Sequence, residues 1–467
     1  MPDASTCDPA AWVRRVVVAL SAVLLVACGG GGRGGGVESA RTCDVGARKA
    51  WLRDYMDDWY FWYRISPRPN PEPFATVDAF FDALLYGGAD PSFPRDRWSG
   101  FQSTESFNRF FGDGQALGYG LSVNGLEAVE VPGTPLYVRY VEPLSDAARQ
   151  GVRRGDEVRS IDGVPAADLI RQVADNRFTV LSPTAAGTTA TLVLRSGGVD
   201  RSVVVRADVF ALTPVAGSAV YTSQGGRRIG YLAVKDMISQ AERGLDAAFQ
   251  GFRQQGVQDL VLDLRYNGGG LVSMATTVAS YIAGRRGSGQ VFSALLYSDK
   301  QAEANSASFR LTNPANSLDI TRVFVLTGPR TCSASEQVIN GLRGVLGPGG
   351  AAGVQVVTIG DTTCGKPVGF LPQPDGCGTT YSVVNFESVN ARNEGRYWDG
   401  FAPTCPVSED WTLPQGAGND PLVATAAYYA DTGSCAPVAT GTMRPLGVRP
   451  GRARDLLLDE RTDMIGR

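Results

Sequence analysis

Four short apolar runs divide the second half of the chain. They are RRIGYLAV (227–234), DLVLDL (259–264), VFVLTG (323–328) and QVVTIGD (355–361). Apolar runs of this length, bounded by turn residues, are typical of strands that are buried on both faces. Helix-like sequence lies between them, at 237–255 and again from 271 onward. Strands that alternate with helices predict an α/β fold, in which the loops at the strand ends carry the chemistry.

A different pattern covers residues 113–210, where short β-rich segments are separated by turns. The segments are LGYGLSV, LYVRYVEP, DEVRSIDG, TATLVLRS and RSVVVRAD, with the helix-like stretch SDAARQGVRR among them. This order resembles a PDZ domain. The resemblance implies a loop whose backbone N–H groups hold a peptide's terminal carboxylate while the peptide joins the sheet as a strand. In this chain the loop consists of Gly118, Tyr119, Gly120 and Leu121.

Residues 40–112 are predicted to form a small helical region. Apolar residues recur at helical spacing over 45–64 and over 76–86, and Thr76 is a suitable cap for the second helix. The aromatic run at 59–63 could serve as a binding surface, but large aromatic side chains more often pack in a core. We therefore predict that this run is buried.

The first residues predict export from the cytoplasm. Two arginines precede a short apolar stretch that cannot span a bilayer as a permanent helix and that fits a secretory signal, residues 1–27. The signal ends in Leu-Val-Ala-Cys, which resembles a bacterial lipobox and implies acylation of Cys28; an ordinary cleaved signal is the alternative. The glycine-rich residues 28–39 would form a flexible tether. We expect a lipid-anchored protein of the bacterial cell envelope that faces the periplasm or the exterior.

Six further cysteines are present: Cys43, Cys332, Cys364, Cys377, Cys405 and Cys435. An even number in an exported chain predicts three disulfides, for which fifteen pairings exist. The short-loop pairings are Cys364 with Cys377 and Cys405 with Cys435. The chain has no histidine and no Cys-x-x-Cys pattern, so we expect no zinc site. A net charge of −3 without a basic stripe argues against a nucleic-acid partner.

Ser333 lies between the strand-like VFVLTG and the helix-like EQVINGLRGVL, where a nucleophile would be exposed. A serine hydroxyl needs a neighbour that accepts its proton. The absence of histidine excludes a Ser-His-Asp triad. Lysine is an alternative base, because burial or neighbouring charge can bring it to the neutral form near pH 7.

Only four of the 44 basic residues are lysines, and arginine stays protonated and cannot act as a base. Lys49 belongs to the first predicted helix, and Lys300 lies in a polar stretch typical of a surface loop. Lys235 ends a strand and is either near the site or merely exposed. Lys366 follows the fourth strand in the constrained turn Cys-Gly-Lys-Pro. A loop lysine is most often a surface residue, but this turn and the scarcity of lysine make Lys366 the best candidate.

An acyl-transfer serine also requires hydrogen-bond donors for the developing oxyanion. The turn NGGG at 267–270 follows a buried-type strand, opens a helix and offers backbone N–H groups. A tight turn of structural importance and a phosphate cradle are the alternatives. No Lys-Ser pair follows the glycines, which excludes a P-loop.

Together these motifs resemble the C-terminal-processing serine peptidases, the family of tail-specific proteases and the tricorn core. The matches are DLRYNGGG at 263–270, Ser-Ala-Ser-Glu at 333–336 and Gly-Lys at 365–366, and the resemblance covers nearly all of residues 113–370. It implies a multidomain α/β (α+β) chain. Residues 211–467 would form a crotonase-like serine peptidase core with a disulfide-bearing C-terminal part.

By motif, the resemblance implies that Ser333 is the nucleophile and Lys366 the general base, with the N–H groups of Ala334 and Gly270 holding the oxyanion. The implied function is that of a membrane-anchored serine endopeptidase that cleaves envelope proteins and requires no metal or other cofactor. Its partners would be proteins or peptides, bound through their C-termini at the PDZ domain. A non-catalytic peptide-binding lipoprotein and a different hydrolase, such as an esterase, are the alternatives.

Two features depart from the family pattern. Members usually carry Gly-Lys-Gly-Ser-Val-Gln, whose glutamine orients the lysine, whereas this chain has Phe370 at the glutamine position. Gln373 or Glu387 could supply the missing partner. The serine and the lysine are 33 positions apart, and a glycine-rich insertion at 347–353 lengthens the interval.

The residues around the pair would have supporting roles. Ser335 and Glu336 are expected to be structural, with Glu336 capping the following helix. Cys332 and Cys364 flank the pair and could tie the two catalytic loops together or to other loops. Cys332 is a much weaker candidate nucleophile, because an exported cysteine is more often oxidised.

Overall fold

The computed structural model describes residues 39–437, apart from residues 131–132, 175–182, 184 and 348–352. The predicted signal, Cys28 and nearly all of the predicted tether lie outside the described residues, as does most of the insertion at 347–353. Within the described ranges, no helix is both long enough and apolar enough to cross a membrane.

Two helices open the described chain, α1 (Val45–Trp59) and α2 (Val77–Leu84). The hydroxyl of Thr76 accepts the amide of Ala79 at 3.1 Å, so Thr76 caps α2. The pattern at 76–86 therefore predicted the second helix and its N-cap correctly, although the helix ends at Leu84, two residues before the end of the pattern.

The aromatic run at 59–63 leaves the helix after Trp59, and its side chains are buried except that of Phe61, which is partly buried. Helix α1 ends at Trp59, and the amide of Phe61 donates to the carbonyl of Val384 at 2.7 Å instead of continuing the helix. Trp59 and Trp62 expose only 8% and 2% of their surface. Consecutive residues of a helix point to different faces, so leaving the helix allows neighbouring rings to enter one core. The predicted burial is confirmed, whereas the predicted continuation of the helix to residue 64 is wrong.

The predicted helical region also contains a strand. After α2 come β1 (Gly100–Ser103), α3 (Thr104–Asn108) and a π-helical turn (Arg109–Asp113). Strand β1 pairs in antiparallel register with Thr379–Ser382, far along the chain. The N-terminal part is therefore integrated into a sheet that the C-terminal part supplies.

Residues 115–211 form a β-rich unit with a core of its own. Its elements are β2 (Gln115–Gly118), β3 (Leu121–Val123), α4 (Gly125–Glu130), β4 (Val138–Val141), α5 (Asp146–Arg149), β5 (Glu157–Ile161), β6 (Val164–Pro165), α6 (Ala166–Ala174), β7 (Thr189–Ser196), β8 (Val199–Arg206) and β9 (Asp208–Ala211). The strands pair in the orders β6-β5-β7-β8, β3-β4 and β2-β9. Each of the five β-rich segments in the sequence contains an observed strand.

The remaining chain alternates strands and helices and then adds short strands. Its elements are β10 (Val215–Thr222), β11 (Arg228–Val234), α7 (Glu242–Gln254), β12 (Asp259–Asp263), α8 (Val272–Ala283), β13 (Val291–Tyr297), α9 (Ala302–Asn305), β14 (Ala307–Arg310), β15 (Arg322–Thr327), α10 (Ala334–Gly344), β16 (Gln355–Gly360), β17 (Val368–Gly369), β18 (Gln373–Pro374), β19 (Thr379–Ser382), β20 (Phe386–Val389), β21 (Cys405–Pro406) and α11 (Pro421–Thr432). The four predicted apolar runs correspond to β11, β12, β15 and β16.

The central sheet has the strand order β10-β11-β12-β15-β16-β21, and all neighbours from β11 onward are parallel. Adjacent side chains on a strand point to opposite faces. Leu260 accordingly joins a core with α7, α8 and α10, whereas Val261 joins a core with α11. The predicted α/β fold is confirmed. Because parallel strands end at one edge, the loops after β11, β12, β15 and β16 lie together there.

A second sheet, β14-β13-β20-β17, connects the central part to the N-terminal helices. Val368 of β17 and Phe386 of β20 share a buried core with Trp62 and Phe80. Strand β17 begins two residues after Lys366. The aromatic core of the N-terminal part therefore lies beside the loop that carries this lysine.

Candidate active site

Ser333 occupies the turn between β15 and α10. Its backbone has φ 54° and ψ −118°, a combination that residues other than glycine rarely adopt. Such strain persists where the surrounding structure fixes it, and a serine on a sharp strand-to-helix turn presents its hydroxyl at the edge of the sheet. Ser333 is partly exposed, while its neighbour Ala334 is buried. This local geometry suits a nucleophile.

The glycine turn after β12 lies directly against Ser333. A side chain on Gly269 would come within 2.7 Å of the Ser333 Cβ and 3.1 Å of the Ala334 amide nitrogen, so only glycine permits this approach. The Gly269 amide donates to the Asn267 side chain at 2.8 Å. Among the described residues, the amides of Gly270 and Ala334 have no acceptor. These are the two N–H groups that the sequence proposes for the oxyanion.

Glu336, in the first turn of α10, joins the loop of Ser333 to the loop of Lys366. Its buried carboxylate accepts the Ser333 amide at 3.0 Å and the Lys366 amide at 2.8 Å. It also accepts the Gly365 amide at 2.8 Å and the Thr363 hydroxyl at 2.6 Å. Burial raises the pKa of Glu336 to about 6, and these hydrogen bonds act in the opposite direction. One carboxylate thus fixes the backbones of both loops.

The side chain of Lys366 is buried, with 2% of the residue exposed. Burial lowers the pKa of Lys366 to about 7, and the negative charges of Asp96 and Glu336 act in the opposite direction. The Nζ atom lies 4.1 Å from the centroid of the Phe370 ring. With this pKa, a large fraction of Lys366 is neutral near pH 7 and can accept a proton.

The ammonium groups of the other three lysines form hydrogen bonds or ion pairs with oxygen atoms. Lys49 donates to two backbone carbonyls at 2.7 and 2.8 Å, and Lys300 donates to a partly exposed carboxylate at 2.7 Å. Lys235 is buried, and its ammonium group contacts the carboxylates of Glu142 and Asp236. The sequence left open whether Lys235 was exposed, and the structure places it in a buried ion pair.

Disulfide pairing differs from the short-loop prediction in one of two cases. The described residues contain the disulfides Cys43–Cys377, Cys332–Cys364 and Cys405–Cys435. The predicted Cys405–Cys435 bond is confirmed, whereas Cys364–Cys377 is wrong. The loops after β15 and β16 follow neighbouring parallel strands, so the Cα atoms of Cys332 and Cys364 come within 5.2 Å. Proximity in the sheet, rather than in the sequence, decides this pairing.

The Cys332–Cys364 disulfide ties the serine loop to the lysine loop. The amide of Cys364 also donates to the carbonyl of Thr331 at 3.0 Å, which adds a backbone link between the loops. Because its sulfur is bonded, Cys332 has no free thiol and is excluded as the nucleophile. For the same reason, the two sulfurs beside Glu336 cannot act as thiolate ligands of a metal.

An aromatic residue stands where the family that the sequence resembles is expected to carry a glutamine. Phe370 presents its ring to the lysine Nζ. Of the two substitutes that the sequence suggests, Gln373 lies in β18 and Glu387 forms an ion pair with Arg396 at 3.2 Å. Apart from the glutamate of α10, the carboxylate whose charge acts on the lysine belongs to Asp96, in the N-terminal part.

The loop proposed to bind a terminal carboxylate, residues 118–121, connects β2 to β3. Gly120 has φ 80°, and a side chain there would overlap Ser145 at 1.9 Å, so this position requires glycine. The amide of Glu142 donates to the Gly120 carbonyl at 2.8 Å. Since Glu142 also contacts Lys235, the loop is linked to the sheet edge that carries Ser333.

Two supporting residues were not predicted. Arg265 is buried and forms ion pairs with Asp263 at 3.0 Å and Asp420 at 2.7 Å, which brace the turn after β12. The DLR motif in the sequence could have indicated Arg265. Asp96 lies so far from the catalytic motifs along the chain that no local pattern points to it.

Comparisons with known proteins place these residues in a family. The model of "Peptidase family S41" matches residues 228–393, and that of "Peptidase S41 N-terminal domain" matches residues 47–100. A carboxyl-terminal-processing protease of Picosynechococcus sp. is 25% identical over 352 residues, covering 72% of this chain and 75% of that protein. The chloroplastic carboxyl-terminal-processing peptidase 2 of Arabidopsis thaliana is 24% identical over 450 residues, covering 91% of this chain and 80% of that protein.

A crystal structure of a Bacteroides fragilis protein described as an S41 protease has a TM-score of 0.63 and 25% identity, and covers 81% of this chain and 96% of that one. The fold and the family models together define a serine-type peptidase. In this chain, residues 228–393, which include Ser333 and Lys366, match peptidase family S41, and residues 47–100 match the N-terminal domain of that family. The resemblance drawn from DLRYNGGG and Ser-Ala-Ser-Glu is thereby confirmed.

Proposed function

We propose that Ser333 and Lys366 form the catalytic dyad of a C-terminal-processing endopeptidase. The observation that carries this proposal is the Glu336 carboxylate, which holds the backbone amides of both residues at 3.0 and 2.8 Å. The pKa of Lys366, lowered by burial to about 7, supports its role as the base.

The reaction begins when neutral Lys366 accepts the Ser333 proton as Oγ attacks the carbonyl carbon of a peptide bond. The amides of Ala334 and Gly270 donate to the oxyanion. Lys366 then passes its proton to the leaving amine as the C–N bond breaks, which leaves an acyl-enzyme. A water molecule, deprotonated by Lys366, hydrolyses the ester and restores Ser333.

The proposed substrates are proteins or peptides that are recognised through their C-termini. Two observations support this: the relatives are named for carboxyl-terminal processing, and residues 118–121 have the position and glycine content of a PDZ carboxylate loop. Residues 113–210 would bind the substrate tail, and residues 211–467 would cut the chain.

We place the enzyme in the bacterial cell envelope, anchored by a lipid on Cys28. Radiolabelled palmitate should label the wild-type protein and should not label Cys28→Ala, whose folded part should become soluble. Equal labelling of the two proteins would contradict the anchor and would leave the catalytic proposal unaffected.

Cleavage of a peptide library by purified protein tests the dyad. Ser333→Ala should reduce kcat/KM by at least about 10³-fold. Ser335→Ala is the matched control, because the Ser335 hydroxyl donates only to the Asn267 carbonyl at 3.0 Å. Undiminished cleavage by Ser333→Ala would contradict the proposal. Peptide binding without cleavage by the wild type would favour the non-catalytic binding protein.

A further inference from the structure

Residues 96–99 of the N-terminal part form one wall of the lysine site. The Arg97 guanidinium donates to the carbonyl of Trp398 at 2.8 Å and approaches the carbonyl of Gly365, next to Lys366, at 3.5 Å. The ring centroids of Trp98 and Trp398 are 5.2 Å apart. This segment is therefore packed on the loop that carries Lys366.

The carboxylate of Asp96 is buried at the start of this wall, with 4% of the residue exposed. Its Oδ1 accepts the amides of Trp98 and Ser99 at 2.9 and 3.0 Å. Its Oδ2 accepts the hydroxyls of Tyr60 and Ser99, both at 2.6 Å. These four donors are neutral, so they fix the orientation of the carboxylate without adding a positive charge.

Several charged or titratable groups surround the lysine. The carboxylate of Asp96 and that of Glu336 act on Lys366 directly, and both favour its protonated form. The charge of Glu336 also acts on Arg97 and Tyr397, and the charge of Asp399 acts on Arg97. Glu336 already fixes the two loops through backbone amides. Within the described part of the chain, Asp96 makes no such hydrogen bonds to the two loops, so its effect on Lys366 comes from its negative charge.

We infer that Asp96 is a positioning residue for the base: its buried negative charge stabilises the Lys366 ammonium that forms when Ser333 gives up its proton. In this chain Asp96 would compensate for the glutamine that Phe370 replaces. The inference rests on the proposed function, because it assigns Asp96 to the same lysine. It also makes the N-terminal part a component of the active site rather than only a packing surface.

The test is the titration of Lys366 in Asp96→Asn, which keeps the shape of the side chain and removes its charge. The chain has few lysines, so ¹³C-labelled lysine gives few signals, and Lys366→Met assigns the relevant one. In Asp96→Asn the midpoint for Lys366 should fall by about one pH unit, and the acidic limb of kcat/KM should move with it. At pH 8, kcat should fall by about tenfold because the weakened base takes up the proton less readily, while KM changes little.

Two controls separate charge from structure. Tyr60→Phe removes one hydrogen bond to Asp96 and keeps its charge, so the midpoint should stay near that of the wild type. Glu387→Gln removes another buried carboxylate, on the strand paired with β17, and should not move the midpoint. If Asp96→Asn is insoluble, Asp96→Ser, which leaves room for a water molecule, is put to the same titration.

An unchanged Lys366 midpoint in a folded variant without the Asp96 charge would overturn the inference. A midpoint that moves in Glu387→Gln and not in Asp96→Asn would overturn it as well. Failure of the proposed function has a different signature, since the wild type would not cleave peptides while the titration could still be measured. A shift in Lys366 without any cleavage would keep the electrostatic pairing and would refute the catalytic role.

Discussion

Two buried lysines follow strands of the central sheet, and their surroundings differ in where negative charge is placed. Lys235, after β11, contacts the carboxylates of Glu142 and Asp236. Lys366, after β16, has the Phe370 ring 4.1 Å from its Nζ and a pKa lowered by burial to about 7. Direct ion pairing favours the ammonium form, whereas burial favours the neutral amine. The comparison teaches that two lysines of similar burial can have different surroundings, namely two contacting carboxylates at Lys235 and an aromatic ring at Lys366.

The largest expected effect comes from removing the base. Lys366→Met should lower kcat/KM for peptide cleavage by roughly 10³-fold, because Ser333 loses the group that accepts its proton. Steady-state kinetics with a fluorogenic peptide measures the loss. If Lys366→Met kept more than a tenth of the wild-type kcat/KM, Lys366 would not be the base that accepts the Ser333 proton.

Removing the Cys332–Cys364 disulfide should reduce both the stability of the protein and its activity. The double variant Cys332→Ala, Cys364→Ala should lose roughly 3–4 kcal/mol of unfolding free energy, measured with denaturant, because the bond closes a loop of about thirty residues. It should also lose activity, since the bond ties the two catalytic loops together.

The matched control is Cys405→Ala with Cys435→Ala, whose separation of 30 residues is close to the 32 of the first pair. It should lose similar stability and retain its kcat/KM after correction for the folded fraction. Equal activity losses in the two double variants would contradict a special role for the first bond.

Removing the other buried lysine should affect stability instead of chemistry. Lys235→Met removes the ammonium group that contacts the buried carboxylates of Glu142 and Asp236, which should cost about 3 kcal/mol of unfolding free energy. The pH midpoint of kcat/KM in the folded protein should remain where it is in the wild type. A shift of that midpoint would mean that Lys235 also takes part in the titration of the site.

Among the variants that impair catalysis, a smaller loss than that of Lys366→Met is expected from Glu336→Gln. The amide group of glutamine cannot accept hydrogen bonds from all four donors that now surround the carboxylate, so the loops of Ser333 and Lys366 should shift. We expect kcat to fall by roughly 10²-fold, because catalytic groups that are slightly displaced lose much of their effect. A rise in KM with an unchanged kcat would argue against this role.

The sequence predicted those features that depend on local patterns. The alternation of apolar runs predicted the α/β fold, and the absence of histidine directed attention from Ser333 to Lys366. The features that it left open or missed depend on long-range packing. The Cys332–Cys364 bond stayed one of two alternatives, because choosing it requires knowledge of neighbouring strands. Asp96 was missed, because it reaches the site only where the N-terminal aromatic core packs beside β17. The early end of α1 has the same origin, since its aromatic residues are shared with that core.

The central claim is that a neutral Lys366 activates Ser333. The most direct measurement is the rate at which a serine-reactive phosphonate labels the protein between pH 5 and 9, with the adduct located by mass spectrometry. The account predicts an adduct on Ser333 whose rate of formation rises with pH around a midpoint of about 7, and a loss of this reaction in Lys366→Met. Labelling that does not depend on pH, or an adduct on a residue other than Ser333, would contradict it.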